Sequence, residues 1–569
     1  MIRKLFFVFC ALVLFPQSVF AKYDPLSVPN NKYGIHIVDP NDVADAAKLV
    51  NSTGGDWGYV TLVIQDDDRD RGKWQRVFNE MRSLRLIPIV RLATHIDGNA
   101  WKQPYKDAAS HWATFLNALN WPIENRYVAI YNEPNHANEW GRSIDPEEYA
   151  HALRVHASAL HEASGDFFVL PAGLDVSAAS DGQSLDAAVY LTRMLRAEPA
   201  LFDHLDGWTS HSYPNPEFSG SPYALGRGTL RSFLWERSLL RELGITKSLP
   251  VFITETGWVH AEGMTYNSSL LSSERVGVNF ALAALGVWRD PTIVAITPFV
   301  LNYQGLPFDH FSWRRLQSKD FYPQYGDYQQ ISKTAGEPLQ REKYILDHNI
   351  IPDSLVAGST YVLSSLVKND GQAVMSEKDG YTVTFVTEPK FFAVHDPLPI
   401  MEPGQYGTLT LHIETPNLPG DYPYRVEVRH WGRSVIIESG TLKLVPPPSV
   451  TLNVQLGWRT NNDISNATVL VYDNLTLIHK VVGLSLENGK ATIRDLRNVM
   501  PGQKYRIVVL VPYYLPRQKI SELNADTTTI SVPRFYPLDF DHDGALSPKD
   551  VIALLKLQPH FIRSLFVGQ

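Results

Sequence analysis

Between Tyr33 and Tyr303 the chain alternates short apolar runs with amphipathic helical patterns, and this alternation limits the folds open to it. Continuous apolar runs are typical of parallel strands that are buried on both faces. Because strands that alternate with helices pair in parallel, the pattern predicts an α/β fold, a (β/α)8 TIM barrel. The eight apolar runs are Tyr33–Val38, Trp57–Ile64, Ile87–Ala93, Tyr127–Tyr131, Phe167–Gly173, Gly207–Tyr213, Val251–Thr254 and Ile293–Leu301.

After about residue 345 the helical periodicity disappears, and strands of alternating polar and apolar residues follow, such as Tyr381–Val386 and Gly407–Glu414. Turn signals such as Asp379-Gly380 lie between them. This pattern predicts two small β-sandwich domains, separated by a stiff Pro446-Pro447-Pro448 linker. The predicted domain plan is a signal segment over 1–21, the barrel over 22–340, sandwiches over 341–447 and 448–532, and a separate segment over 533–569.

The first 21 residues have the pattern of a secretory signal peptide. Arg3 and Lys4 precede an apolar run, and Val19 and Ala21 are the small residues that signal peptidase prefers. An uncleaved N-terminal anchor is the alternative, although the apolar run is short for a membrane span. Cys10, the only cysteine, lies in this segment, so no disulfide holds the mature chain. We therefore expect a secreted, extracellular or cell-surface protein with no membrane span after signal cleavage.

The overall charge argues against a nucleic-acid partner. The chain has 52 Lys and Arg against 60 Asp and Glu, a formal charge of −8, whereas nucleic-acid binders present basic surfaces. Hydrophobic residues at 44% and charged residues at 20% are ordinary for folded protein. The run Asp66-Asp67-Asp68 follows the second apolar run and is either a solvated loop or a binder of a cationic or hydroxyl-rich substrate.

Two glutamates stand at the ends of apolar runs in the predicted barrel. Glu133 follows the fourth run within Asn132-Glu133-Pro134, and Glu255 follows the seventh. Side chains at the C-terminal ends of barrel strands line the active site of this fold. Glycoside hydrolysis needs such a pair, because one carboxylic acid protonates the leaving oxygen while the other carboxylate attacks the anomeric carbon or activates water. The pair therefore predicts a carbohydrate substrate and a glycosidase.

With Asn132-Glu133-Pro134 after the fourth strand and Glu255 after the seventh, residues 30–320 resemble the clan A glycoside hydrolases. The resemblance implies a retaining (β/α)8 enzyme in which Glu133 is the acid/base and Glu255 the nucleophile. Retention implies carboxyl groups about 5–5.5 Å apart. The order of a barrel followed by a sandwich resembles glycoside hydrolase family 39.

The resemblance also implies substrate-binding residues. Asn132 would bond the sugar 2-hydroxyl, Tyr213 would bond the nucleophile, and Arg91 at the end of the third strand would lie near it. His36 and His211 are further candidates, and the alternative for each is a barrel histidine that bonds to the backbone. Clan members carry a tryptophan on strand 8, whereas here the eighth run ends without one and Trp313 follows only later.

Exposed tryptophans are candidates for stacking on sugar rings. Trp258 is the first of them because it follows the predicted nucleophile, and core packing is the alternative for each. The other three are Trp101, Trp140 and Trp208. Glu139, six residues after Glu133, is predicted to be a solvated loop residue.

Residues 539–550 read DFDHDGALSPKD and match a calcium-binding loop. Such a loop takes oxygen ligands at positions 1, 3, 5, 7 and 12 and turns sharply at position 6, where Gly544 stands. The predicted ligands are Asp539, Asp541, Asp543, the carbonyl of Ala545 and Asp550. A structural Ca2+ is therefore expected, with no cofactor for catalysis, and an acidic turn before a helix is the alternative.

Aspartate at position 12 resembles the dockerin type of loop, which implies a cohesin-like or cell-surface partner. Dockerins usually carry two such loops and this chain has one, so a calcium-stapled terminal module is the other interpretation. Two alternatives to an enzyme stay open: a barrel that binds glycans without catalysis, and a surface interaction protein that works through its β-domains. Transglycosylation uses the same two carboxylates as hydrolysis and stays open as well.

Overall fold

The computed structural model describes residues 22–459, 461–560 and 562–563. The predicted signal peptide lies outside the described residues. Contacts divide the chain into two units, Met1–Arg341 and Glu342–Gln569, and the division falls beside the predicted end of the barrel. None of the described helices is long and apolar enough to cross a membrane.

The first unit alternates strands with helices. Its strands are β1 (Gly34–Ile37), β2 (Gly58–Gln65), β3 (Leu86–Ala93), β4 (Ile96–Asp97), β5 (Ala100–Trp101), β6 (Arg126–Ala129), β7 (Phe167–Leu170), β8 (Trp208–His211), β9 (Val251–Glu255) and β10 (Ile293–Ile296). Its α-helices are α1 (Val43–Val50), α2 (Arg71–Ser83), α3 (Ala108–Asn117), α4 (Pro146–Ala163), α5 (Ala187–Ala197), α6 (Ser232–Glu242), α7 (Ser273–Leu285) and α8 (Pro323–Gln330). Asp70 and Asp186 cap α2 and α5 by accepting backbone N–H groups of the first turn.

Eight of these strands form a ring of parallel neighbours, which we call the barrel. β1, β2, β3, β6 and β7 form one sheet in that order, and β8, β9 and β10 form another, while β4 and β5 pair only with each other. The parallel bridges Tyr33–Ile296 and Asp175–His211 join the edges of the two sheets. Each predicted apolar run overlaps one of the eight strands, so the expected mixed α/β organisation with parallel strands is confirmed.

The barrel interior is filled by side chains from alternate strand positions. Tyr127, Phe168 and Phe252 pack together there, with ring centroids 5.1–5.7 Å apart. On β3, Ile89 belongs to this interior core, and Arg91 is the next residue in the same row. An apolar row therefore ends in a cationic side chain at the C-terminal mouth of the barrel.

The second unit is almost entirely β-structure. Its strands are β11 (Tyr344–Leu346), β12 (Ser354–Val356), β13 (Thr360–Asn369), β14 (Tyr381–Thr387), β15 (Phe392–His395), β16 (Tyr406–Glu414), β17 (Gly420–His430), β18 (Arg433–Val445), β19 (Ser449–Asn453), β20 (Ile464–Asp473), β21 (Thr476–Leu486), β22 (Lys490–Ile493), β23 (Gln503–Val511), β24 (Tyr514–Leu523) and β25 (Thr527–Ser531). Two sheets, β11-β13-β16-β15 and β12-β18-β17-β14, share one hydrophobic core. Two more, β22-β19-β25 and β21-β20-β23-β24, share another.

The C-terminal segment consists of turns followed by α9 (Pro548–Leu555). The Ser547 side chain caps this helix, and Asp550 completes a capping box with it. Gly544 has a φ of 81°, in the left-handed region that a sharp turn requires and that glycine adopts without strain.

Candidate active site

The loop after β6 carries Asn132 and Glu133 to the mouth of the barrel. Tyr131 and Glu133 have positive φ angles, 69° and 29°, which cost a non-glycine residue about 1–3 kcal/mol each. The buried Asn135 holds this loop in place, because its side chain donates to the carbonyls of Asp175 and Leu185 at 2.9 and 3.1 Å. The Glu133 side chain is 21% exposed and therefore accessible from the mouth.

Glu255 ends β9 and is only 7% exposed. Arg91 Nη1 donates to its Oε1 at 2.7 Å, and the Tyr213 hydroxyl donates to its Oε2 at 3.0 Å. Burial raises the pKa of Glu255, but the charges of His211 and Arg91 outweigh burial and hold that pKa below its usual value. Glu255 is therefore an ionised carboxylate at neutral pH. Burial raises the pKa of Tyr213 well above its usual value, so this phenol stays a neutral donor.

His211, at the end of β8, lies between the two glutamates. Its Nδ1 is 2.7 Å from Oε1 of Glu133 and 3.8 Å from Oε2 of Glu255. One oxygen of each glutamate and a ring nitrogen of His211 all lie within 4.8 Å of one another. Burial lowers the pKa of His211, but the two carboxylates outweigh it, and the pKa of the imidazole lies above its usual value.

Gly173 leaves the space that the His211 ring occupies. A Cβ atom at position 173 would lie 2.2 Å from Cδ2 and 2.5 Å from Nε2 of that ring. Glu133 N–H also donates to the carbonyl of Gly173 at 3.1 Å. A glycine after β7 is therefore part of the packing that brings His211 and Glu133 together.

Asn132 is held at both ends of its carboxamide. Its Oδ1 accepts from Arg91 Nη1 at 2.7 Å, and its Nδ2 donates to Oε2 of Glu139 at 3.2 Å. Arg91 thus bonds both Asn132, in the loop after β6, and Glu255, at the end of β9. An amide nitrogen has two N–H donors, so Asn132 keeps one for a ligand.

His36, on β1, is completely buried and lies 3.9 Å from Oε1 of Glu255 through Nε2. Its ring packs edge-on against Phe299 at 5.1 Å. Burial, reinforced by Arg91, lowers the pKa of His36 to about 3, so the ring is neutral at physiological pH. Within the described part of the chain its ring nitrogens have no hydrogen-bond partner, which contradicts the alternative of a histidine bonded to backbone.

The prediction that Trp258 stacks on sugar is wrong. The indole is 1% exposed, donates to the carbonyl of Gly220 at 2.8 Å and packs edge-on against Phe280 at 5.1 Å. Its faces are used by the core around α7, so neither is free for a ligand. Trp140 and Trp208 are buried as well, whereas Trp101 on β5 is partly exposed and lines a small pocket with Arg91, Asn132 and Glu139.

Two residues of the site were not found by sequence reasoning. Glu139 is not a solvated loop residue: it bonds Asn132, and burial together with the charge of Glu133 raises its pKa to about 7. Phe299 follows β10 and packs edge-on against Phe311, in a cluster with Tyr213. The position of Phe299 near the end of the eighth apolar run was the available signal, and nothing in the sequence distinguished Glu139 from other loop glutamates.

The acidic run after β2 is largely committed to protein contacts. Asp66 Oδ1 lies 3.2 Å from His95 Nδ1, and Asp68 accepts from Lys73 at 2.5 Å. The partners of this acidic run are therefore His95 and Lys73, which are side chains of the first unit. Asp67 is exposed.

The C-terminal loop brings together three of its five predicted ligands. Oxygen atoms of Asp539, Asp541 and Asp543 lie within 4.8 Å of one another. Asp550 is not in this group: its Oδ1 accepts from Phe540 N–H at 2.8 Å and its Oδ2 from Ser547 N–H at 2.7 Å. It acts as a cap of α9, in contrast to its predicted role as a ligand. Ala545 donates its own N–H to Asp543 at 2.9 Å.

No protein-family model matches this sequence, and no protein of curated function matches it. Among solved structures, the chain is similar to a family 39 glycoside hydrolase from Bacteroides cellulosilyticus WH2, with 14% identity, a TM-score of 0.38, and coverage of 69% of this chain and 82% of the other. It is also similar to an endo-β-1,4-glucanase from Xanthomonas axonopodis pv. citri, with 14% identity, a TM-score of 0.36, and coverage of 53% and 99%. A fungal β-1,4-galactanase shares 13% identity at a TM-score of 0.38, with coverage of 52% and 99%. Because these TM-scores are low, the function proposed below depends on the side-chain geometry.

Proposed function

We propose that this protein is a secreted glycoside hydrolase that cleaves O-glycosidic bonds of a poly- or oligosaccharide with two glutamates in a (β/α)8 barrel. The observation that carries the proposal is the approach of Glu133 and Glu255 to within 4.8 Å, from strands on opposite sides of one mouth. The two carboxyl groups have different surroundings, since Glu255 bonds Arg91 and Tyr213 while Glu133 bonds His211 and is more exposed. Two such carboxyl groups are what glycoside hydrolysis requires.

Glu255 is the nucleophile in this proposal. Its lowered pKa keeps it ionised, and the Arg91 and Tyr213 donors fix its two oxygens without protonating them. Attack on the anomeric carbon forms a glycosyl-enzyme ester while the bond to the leaving oxygen breaks. An oxygen-to-oxygen approach within 4.8 Å is closer to the carboxyl separation of about 5–5.5 Å that retention needs than to the about 6.5–9.5 Å of inverting enzymes.

Glu133 is the acid/base. It gives a proton to the leaving oxygen in the first step and takes one from the attacking water in the second. Its greater exposure suits a group that exchanges protons with substrate and water. His211 holds the carboxyl group in position through the 2.7 Å contact. Asn132 has one amide N–H left to bond the sugar 2-hydroxyl, a contact that strengthens in the transition state.

The second unit takes the role of one or more accessory β-sandwich domains, and the C-terminal loop that of a calcium-stabilised terminal module. The loop's donor set fits calcium in part, because three carboxylate oxygens converge and hard cations prefer oxygen ligands. Asp539, Asp541 and Asp543 would hold the ion, whose role is structural. Asp550 would contribute only after giving up a hydrogen bond to the backbone. A cohesin-like or cell-surface partner stays a prediction from the loop sequence.

The test is release of reducing sugar from a polysaccharide panel by four proteins: wild type, Glu255→Gln, Glu133→Gln and the control Glu162→Gln. Glu162 lies on α4 and is exposed, so this variant makes the same chemical change away from the mouth. We expect wild type and the control to release sugar, Glu255→Gln to release none, and Glu133→Gln to lose about 10²–10⁴-fold in rate.

Two further measurements resolve the mechanism. Proton NMR of the first product gives its anomeric configuration, and retention is expected. Azide restores turnover of Glu133→Ala on a substrate with a good leaving group if that residue is the acid/base, because the anion needs no base to attack the glycosyl-enzyme and releases Glu255 with formation of a glycosyl azide. Equal activity of Glu255→Gln and wild type would overturn the proposal. Binding of a glycan by all four proteins with no bond cleavage would identify a binding barrel instead, and sugar-transfer products would identify a transglycosylase.

A further inference from the structure

The mouth of the barrel contains a third glutamate for which the two-glutamate mechanism has no role. Glu139 follows Glu133 on the same loop, in a short 3-10 helix over Ala137–Glu139. Its carboxylate accepts from Asn132 Nδ2 at 3.2 Å and lines the small pocket that contains Arg91 and Trp101. Glu139 thus bonds Asn132, which in turn bonds Arg91, a partner of the proposed nucleophile Glu255.

The orientation of the Asn132 carboxamide depends on Glu139. Arg91 donates to the oxygen end of the amide, and Glu139 accepts from the nitrogen end. An amide with only one end held could turn over and present its oxygen where its nitrogen should be. Once ionised, Glu139 admits only the nitrogen, because a carboxylate is an acceptor and not a donor; a protonated carboxyl group could also donate to the amide oxygen.

The charges in the mouth do not balance. Three carboxyl groups, Glu133, Glu139 and Glu255, face two basic groups, Arg91 and His211. The other cations nearby have partners of their own. His136 Nε2 lies 3.0 Å from Asp175, and Lys102, which lines the same pocket, lies 4.0 Å from Asp97. With all three ionised, the carboxyl groups of the mouth therefore outnumber its cations.

We propose that Glu139 is a positioning residue of this site, a third glutamate that orients the Asn132 carboxamide. The inference rests on the proposed function. An ionised carboxylate at position 139 accepts from the nitrogen end of the amide and excludes the turned-over amide, while Arg91 holds the oxygen end.

The pKa of Glu139 supports this role. Burial, and then the charge of Glu133, raises it to about 7, whereas Arg91 and the bond from Asn132 act in the opposite direction. Glu139 therefore becomes charged around neutral pH, and only the charged form excludes the turned-over amide of Asn132.

The test compares kcat/KM between pH 5 and pH 8.5 for wild type, Glu139→Gln, Glu139→Ala and the control Glu162→Gln. Glutamine keeps an oxygen that accepts from Asn132 but has no charge, so the ratio of wild type to Glu139→Gln should rise from near one at low pH to about tenfold at high pH. Alanine also removes the acceptor, and we expect a further loss of about tenfold at every pH. The ratio for Glu162→Gln should stay near one throughout.

A second measurement does not depend on activity. A group whose pKa is raised in the folded state stabilises the fold below its usual pKa, and that stability is lost as the pH rises through the raised value. The melting temperature of Glu139→Gln relative to wild type should therefore increase by a few degrees between pH 4.5 and pH 8. A double-mutant cycle on kcat/KM tests the contact itself. In the Asn132→Ala background, Glu139→Ala should cause little further loss of kcat/KM, because the two residues act through one contact.

The outcomes separate the two proposals. If wild type releases sugar while the activity ratio and the melting difference are both independent of pH, the inference is overturned and the proposed function stands. If wild type and Glu255→Gln are equally inactive on every substrate, the proposed function fails, and the inference fails with it.

Discussion

The protein contains two clusters of carboxylates that are neutralised in different ways. At the barrel mouth, Glu255 and Glu133 bond charged or donor side chains, namely Arg91, Tyr213 and His211. In the C-terminal loop, Asp539, Asp541 and Asp543 accept backbone N–H groups from Gly544, Asp543 and Ala545. Among the described residues, no Lys, Arg or His side chain forms an ion pair with these three aspartates.

The difference fits the two proposed roles, proton chemistry at the mouth and cation binding in the loop. The charges of His211 and Arg91 lower the pKa of Glu255, so this carboxyl group is ionised. Backbone N–H groups orient the aspartates without cancelling their charge, so the loop keeps the negative charge that the proposed cation would need. Partner type therefore indicates the role of each cluster better than the number of acidic residues does.

The largest expected effect on kcat/KM is that of Arg91→Met, which removes the guanidinium group at the mouth of the barrel. We expect kcat/KM to fall about 1,000-fold, because breaking a buried pair costs about 3–5 kcal/mol and each 1.4 kcal/mol is about tenfold. Arg91 holds the pKa of Glu255 down, so its loss raises that pKa and moves the acid limb of the pH–rate profile to higher pH. Arg193→Met, which removes an exposed partner of Glu147, is the control and should change neither value. An acid limb that stays in place would contradict this account of Glu255.

Gly173→Ala tests whether catalysis depends on the position of the His211 ring. The added methyl group overlaps the imidazole ring, so the ring must move away from Glu133, and we expect kcat/KM to fall about 100-fold. Gly305→Ala is the matched control, since nothing lies within 4 Å of the added atom there. Circular dichroism shows whether the fold is retained. A folded, fully active Gly173→Ala protein would show that His211 does not need its present position.

Tyr213→Phe removes one donor to Glu255 and leaves the ring in place. We expect a loss of about tenfold in kcat/KM, since a hydrogen bond to a charged group contributes about 1.5–3 kcal/mol. Tyr325→Phe deletes a hydroxyl that bonds the Asp45 carbonyl, away from the mouth, and serves as the control. Equal rates for the two variants would mean that the 3.0 Å contact to Glu255 has no part in the reaction.

The smallest expected effect on catalysis is that of calcium removal. Chelation should leave the sugar-releasing activity unchanged but lower the unfolding temperature of the second unit. An ion at about 100 times its dissociation constant stabilises the folded form by about 2.7 kcal/mol. Asp541→Asn should lose calcium binding in isothermal titration, whereas Asp526→Asn, outside the loop, should keep it. If chelation abolished activity without changing unfolding, the two clusters would be coupled and the contrast drawn between them would be wrong.

Much of the first unit could be predicted from local patterns. Eight apolar runs separated by helical patterns predicted parallel strands, and the glutamates after the fourth and seventh runs were placed at one mouth because parallel strands end on one side. Five other predicted residues lie around Glu255 and Glu133, either in direct contact or through one intervening side chain. They are Asn132, Arg91, Tyr213, His211 and His36.

The errors concern residues whose place depends on the path of a loop. Trp258 follows Glu255 by three residues, yet the chain turns its indole into the core beside Phe280. Glu139 lies six residues beyond Glu133, yet a short helix brings it back to Asn132. Asp550 has the spacing of a metal ligand but caps α9. Distance along the chain does not give the direction in which a side chain points once regular structure ends.

The sequence by itself determined the order of strands and helices, because burial in a parallel sheet requires continuous apolar runs. It also determined which carboxylates stand at strand ends, where period-two alternation fixes the face of each side chain. Only the tertiary structure decided that Arg91 bonds Asn132 and Glu255 together, that Gly173 makes room for His211, and that Glu139 joins the mouth. These contacts join residues far apart in the chain or depend on loop paths, and they arise from the closing of the ring, which no local pattern records.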